Sequence, residues 1–115
     1  MWSFLVNNHY KEYIQETQRC KILETNYGFA TYKIEGSLCY IIDVYVHPEE
    51  RSQKLSHELA DTIVQEAREM GCSQLLTTVN MSNSQENREN IYAILNYGFN
   101  LIRSNEHALY FMKRI

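Results

Sequence analysis

The stretch Val46-His47-Pro48-Glu49-Glu50-Arg51-Ser52-Gln53-Lys54-Leu55-Ser56-His57 holds the densest chemistry in the chain. It reads as the end of a strand passing through a short loop into a helix, a junction that leaves the first backbone N–H groups of the helix without intrahelical partners. A diphosphate can accept hydrogen bonds from those donors, gain from the positive end of the helix dipole, and pair with Arg51 or Lys54. The junction is therefore cationic at short range in a chain whose net charge is −3. The plainer alternative is a capped helix start with solvated charges; the strand and proline ahead of it favour the phosphate reading. His47 and His57 flank Glu49 and Glu50 at a ten-residue separation that spans a loop and a helical turn, so no metal site is expected.

Positioning that junction takes a strand before it and a helix after it. Leu38 to Val46 (LCYIIDVYV) is rich in β-branched and aromatic residues and is placed centrally in a sheet. Strict alternation makes Leu38, Tyr40, Ile42, Val44 and Val46 its more apolar face, with Cys39, Ile41, Asp43 and Tyr45 on the other. Pro48 ends the strand because it has no N–H to give the ladder. From Ser52 to Met70, the residues Leu55, Leu59, Ile63, Ala67 and Met70 recur three or four apart and Gly71 supplies a stop, which predicts the longest helix. Ser73 to Asn80 follows as a strand parallel to the central one.

Trp2 to Val6 reads as a short strand, and a helix capped by Asn7 or Asn8 runs to Gln18. Cys20 to Thr25 and Phe29 to Ile34 form a hairpin around Asn26-Tyr27-Gly28. A helix capped by Ser82 or Ser84 and stopped by Gly98 buries Ile91, Ile94 and Leu95. Phe99 to Arg103 and Ala108 to Lys113 close the chain around Ser104-Asn105-Glu106. The expected fold class is α/β: one domain over residues 1–115, with a mixed, mostly antiparallel central sheet flanked by helices. Tyr97, Phe99, Tyr110 and Phe111 fill the core between sheet and helices, and any of them left exposed would supply a homodimer contact.

At 115 residues the chain has room for one core. A pI near 5.8 gives no broad cationic field, which argues against nucleic-acid binding. No apolar run reaches membrane-spanning length, and Cys20, Cys39 and Cys72 are odd in number and widely spaced, as for reduced thiols in a cytoplasmic protein. Cys39 has no basic neighbour in sequence, and a buried strand thiol is its expected state.

With these elements in place, the chain resembles the GCN5-related N-acetyltransferase (GNAT) superfamily. The family signature at the junction is a strand ending in V-x-P, then Arg or Gln, two residues, Gly, one residue, and Gly or Ala. Val46, Pro48 and Arg51 match it, while Lys54 and Ser56 stand at the two small positions. A second family pattern is Asn, two residues, Ala, three residues, Tyr, three residues, Gly-Phe; here Asn87, Gly98 and Phe99 match, Asn90 replaces Ala, and Ile94 replaces Tyr.

The resemblance implies an N-acetyltransferase that moves an acetyl group from acetyl-coenzyme A (acetyl-CoA) to a primary amine by direct attack. It implies that main-chain groups near Val44 and Val46 align the pantetheine, that Arg51, Ser52, Gln53, Lys54, Leu55, Ser56 and His57 hold the pyrophosphate, and that Asn87 bonds to the donor or caps its helix. Asp43, the one carboxylate on the central strand, stands where members place a group near the acceptor amine. With Ile94 at the acid position, Tyr92 and Tyr97 are the neighbouring hydroxyls, about 200° and 60° away around the helix axis. The alternative is a GNAT-fold module that binds a protein partner or senses coenzyme A (CoA) without turnover.

Overall fold

The computed structural model describes residues 20–50, 53–81 and 84–115. The elements expected before Cys20 lie outside the described residues, as do Arg51, Ser52 and Ser82. In chain order the rest runs β1 (Lys21–Glu24), β2 (Gly28–Glu35), β3 (Leu38–Val46), a 3-10 turn at Pro48–Glu50, α1 (Gln53–Glu69), β4 (Gln74–Asn80), α2 (Ser84–Tyr97), β5 (Asn100–Ser104) and β6 (Ala108–Arg114). Each expected element over these residues is present within a residue or two of its predicted bounds.

Local chemistry explains the joints. At the β1–β2 turn, Thr25 Oγ1 accepts from the N–H groups of Tyr27 and Gly28. Asn105 Oδ1 does the same for His107 and Ala108 between β5 and β6. Both helices end alike: Cys72 N–H donates to Ala67 O at 2.8 Å past Gly71, and Phe99 N–H to Ile94 O at 3.2 Å past Gly98. Gly71 and Gly98 have φ of 88° and 109°, a left-handed cap that side chains with a Cβ rarely adopt.

The six strands lie in the order β1-β2-β3-β4-β6-β5. Only β3 and β4 run parallel, joined through α1; every other neighbouring pair is antiparallel. The core sits between α1 and one sheet face, with Phe111, Leu59, Ile63, Leu75 and Cys39 as its largest fully buried side chains. Phe99 and Phe111 are buried as expected, whereas Tyr97 and Tyr110 are half-buried. Lys21 and Tyr32 both bond to Glu66, tying α1 to the first two strands. No helix among the described residues is long and apolar enough to cross a membrane.

One expectation about β3 is corrected. Strict alternation does not hold along it: Cys39 and Ile41 are buried against α1, while Ile42, on the face expected to be the more apolar, is 45% exposed. Thr31 pairs with Asp43 and Tyr32 pairs with Ile41, so Ile42 is an extra residue, a β-bulge. The bulge shifts the alternation, and beyond it Val44, opposite Ala30, and Val46, opposite Gly28, return to the helix side.

Candidate functional site

The bulge coincides with the place where the two parallel strands diverge. β4 pairs with Leu38, Cys39, Tyr40 and Ile41 through Gln74 to Thr77, and the pairing stops there. β3 continues to Val46 and β4 to Asn80, so a cleft opens between their carboxyl ends. At its apex Thr77 Oγ1 donates to Ile41 O at 3.1 Å. Val44 and Val79 flank the cleft on the helix side; Val79 is buried, but Val44 is 41% exposed even though it shares a face with buried Ala30. The amino end of α1 lies a short turn beyond Val46, at the mouth of the same cleft. Switch points at the carboxyl ends of parallel strands are where α/β folds receive anionic ligands.

The residues expected at this mouth differ in where the structure places them. Arg51 and Ser52, together with the side chains of Gln53 and Asn87, lie outside the described residues. Lys54 is exposed, and Leu55 and Ser56 are half-buried, with Leu55 against the core. His57 turns away towards α2: its Nε2 lies 3.3 Å from Ala93 O, and its ring is 5.2 Å from that of Tyr97. Val46 is buried in the core, so what it offers the cleft is main chain.

Asp43 lies on the sheet face opposite α1 and is exposed, with Thr31 Oγ1 donating to its Oδ2 at 3.5 Å. On that face Phe29 and Tyr45 stack with ring centroids 5.5 Å apart. The bulge thus leaves Asp43 on the face opposite α1 and Val44 on the helix side.

The two tyrosines go elsewhere. Tyr92 is 58% exposed on the outer surface of α2. Tyr97 is half-buried, donates to Asp61 Oδ1 at 2.7 Å, and has Lys113 Nζ 5.8 Å from its ring centroid. Burial, and then the bond to Asp61, push its hydroxyl above the ordinary tyrosine value. It faces an open depression of about 630 Å³ lined by Asp61, Val64, Gln65, Arg68 and Lys113. Lys113 pairs with Leu75 near the amino end of β4, so this depression lies away from the cleft mouth. Ile94, at the acid position, packs against the core.

All three cysteines are buried, and burial pushes the Cys39 thiol up to about 12, which removes it as a nucleophile at neutral pH. Thr77 was not among the residues expected at the site. Its one visible signal in the sequence is a hydroxyl in the inward row Leu75, Thr77, Val79, where the other two side chains are apolar.

Comparison with known proteins agrees with this geometry. Residues 5–95 match the model of the acetyltransferase (GNAT) family. No curated protein gives a significant match. Among solved structures, the PaiA N-acetyltransferase of Thermoplasma acidophilum in complex with coenzyme A superposes with a TM-score of 0.71 at 15% identity, over 99% of this chain and 84% of that one. A GNAT family acetyltransferase from Elizabethkingia anophelis with acetyl-CoA bound gives 0.70 at 14% identity, over 98% and 88%. Nourseothricin acetyltransferase gives 0.64 at 24% identity over 76% of this chain, which spans only 56% of its length. A bulged strand diverging from its parallel neighbour at the head of a helix, with the family match over residues 5–95, makes this chain a member of the GNAT acetyltransferase family.

Proposed function

We propose that the chain transfers an acetyl group from acetyl-CoA to a primary amine by direct attack, with no covalent enzyme intermediate. The observation that carries this reading is the divergence of β3 from β4 directly above Ile41 and Thr77, at the head of α1. In this reading the helix start, with Arg51, Lys54 and Ser56, holds the donor's pyrophosphate by hydrogen bonds and charge, and the main chain of Val44 to Val46 orients the pantetheine and polarises the thioester carbonyl. The amine nitrogen attacks the carbonyl carbon, the carbon–sulfur bond breaks, and the thiolate leaves. The proton lost by the amine passes to Asp43 or to water on that face. The thiolate takes its proton from water, because Ile94 has none to give and the Tyr97 hydroxyl is engaged by Asp61. An odd number of widely spaced, buried cysteines supports a cytoplasmic setting.

A second reading follows from the same acid position: the domain is catalytically impaired and either senses CoA without turnover or binds a protein partner. Calorimetry with acetyl-CoA and CoA, repeated on Arg51→Ala, combined with a thiol-release assay over a panel of amines, separates the two. Transfer requires binding by the parent, at least tenfold weaker binding by the variant, and release of free thiol with one or more amines. Binding without thiol release points to the sensor; no binding at millimolar ligand overturns transfer and sensing alike and favours the protein-binding module.

A further inference from the structure

Thr77 stands in a row that crosses five of the six strands: Tyr32 pairs with Ile41, Ile41 with Thr77, Thr77 with Phe111, and Phe111 with Leu101. The strand positions on either side of it in the inward row, Leu75 and Val79, are buried hydrophobics. A hydroxyl there costs free energy unless it is hydrogen-bonded, and valine would fill the same volume with better burial. The hydroxyl finds its acceptor in Ile41 O at 3.1 Å, on the last paired rung, one residue before the Ile42 bulge. A side-chain bond thus fastens β3 to β4 where the main-chain pairing gives out.

We propose that Thr77 is a positioning residue that fixes the depth of the cleft and so limits the acyl group to a short one. Resting on the transfer reading above, this identifies the class of donor: acetyl-CoA in preference to longer acyl-CoA thioesters. With the bond in place the strands stay together up to Ile41, and the acyl group meets a floor made by the Thr77 side chain and the Ile41 main chain. Without it, the strands are free to separate a rung earlier and the floor recedes by enough for another methylene. Asp43 lies on the other face of β3.

The test compares Thr77→Val and Thr77→Ser with the parent, using acetyl-CoA and propionyl-CoA as donors to one accepted amine. Thr77→Val is expected to raise the propionyl-to-acetyl ratio of kcat/KM about tenfold, chiefly through kcat, whereas Thr77→Ser keeps the hydroxyl and stays within about twofold of the parent. Calorimetric binding of CoA without an acyl group is expected to be unchanged in both, and thermal melts confirm that each is folded. A variant that is merely less stable loses rate with both donors alike and leaves the ratio where it was. An unchanged ratio in folded, CoA-binding Thr77→Val overturns the proposal while leaving the transferase reading intact. A parent that neither binds nor uses acetyl-CoA overturns the transferase reading and this inference with it.

Discussion

The proton of Tyr97 is committed to Asp61, so the hydroxyl works as a tie between α2 and α1 rather than as an acid for the departing thiolate. Tyr97→Phe is therefore expected to lower the melting temperature by about 4–8 °C, the equivalent of roughly 1 kcal/mol, while thiol release stays within about threefold of the parent. Tyr92→Phe, at an exposed site, should change neither quantity measurably. A hundredfold loss of kcat in Tyr97→Phe with an unchanged melt would instead give it the acid role. Which tyrosine had a partner was not legible in the sequence, because Asp61 lies 36 residues away and nothing local marks the pair. Asp43 was legible as the central strand's carboxylate; the Thr31 bond and the face it occupies were not, since both depend on a neighbouring strand.

Among elements, β3 was the easiest to see and the easiest to misread. Its bounds follow from a run of strand-forming residues interrupted only by Asp43, but two consecutive isoleucines hide the bulge, because either could point inward. Only the register with β2 shows that Ile42 is the extra one. The same strand pair is tight at Gly28, where an added Cβ would fall 1.9 Å from Tyr45 O. Gly28→Ala must push β2 off β3 beside Val46, and a loss of about 3 kcal/mol in chemical denaturation is expected. The tie between α1 and the first strands responds to pH. The bonds from Lys21 and then Tyr32 hold the Glu66 carboxyl below its ordinary value of 4.5. A carboxyl depressed in the folded state stabilises above its unfolded value and loses that contribution as pH falls through the folded one. Parent and Glu66→Gln should thus melt roughly 2–6 °C apart at pH 7, since the pair is partly exposed, and converge as pH drops below about 4.5.

For the molecule as a whole, the thiols report on global opening. Cys20, Cys39 and Cys72 are all buried, and burial raises the first two above the ordinary thiol value. A thiol reagent at pH 8 should label the native protein at least a hundredfold more slowly than the denatured chain, with all three sites protected. Rapid labelling of Cys39 under native conditions would contradict the core described above. The order of elements could be read from hydrophobic period and turn residues. The order of strands in the sheet could not, because a hairpin pattern gives the pairing of β5 with β6 but not which of the two meets β4. That choice has a kinetic consequence. β6 is wedged between two strands that precede it in the chain, and its contacts with β4 join residues such as Leu75 and Lys113. During synthesis, β4 must wait with one edge bare until Ala108 to Arg114 have left the ribosome. The sheet then closes by insertion rather than by growth at a margin, a long-range step that ought to dominate the folding time.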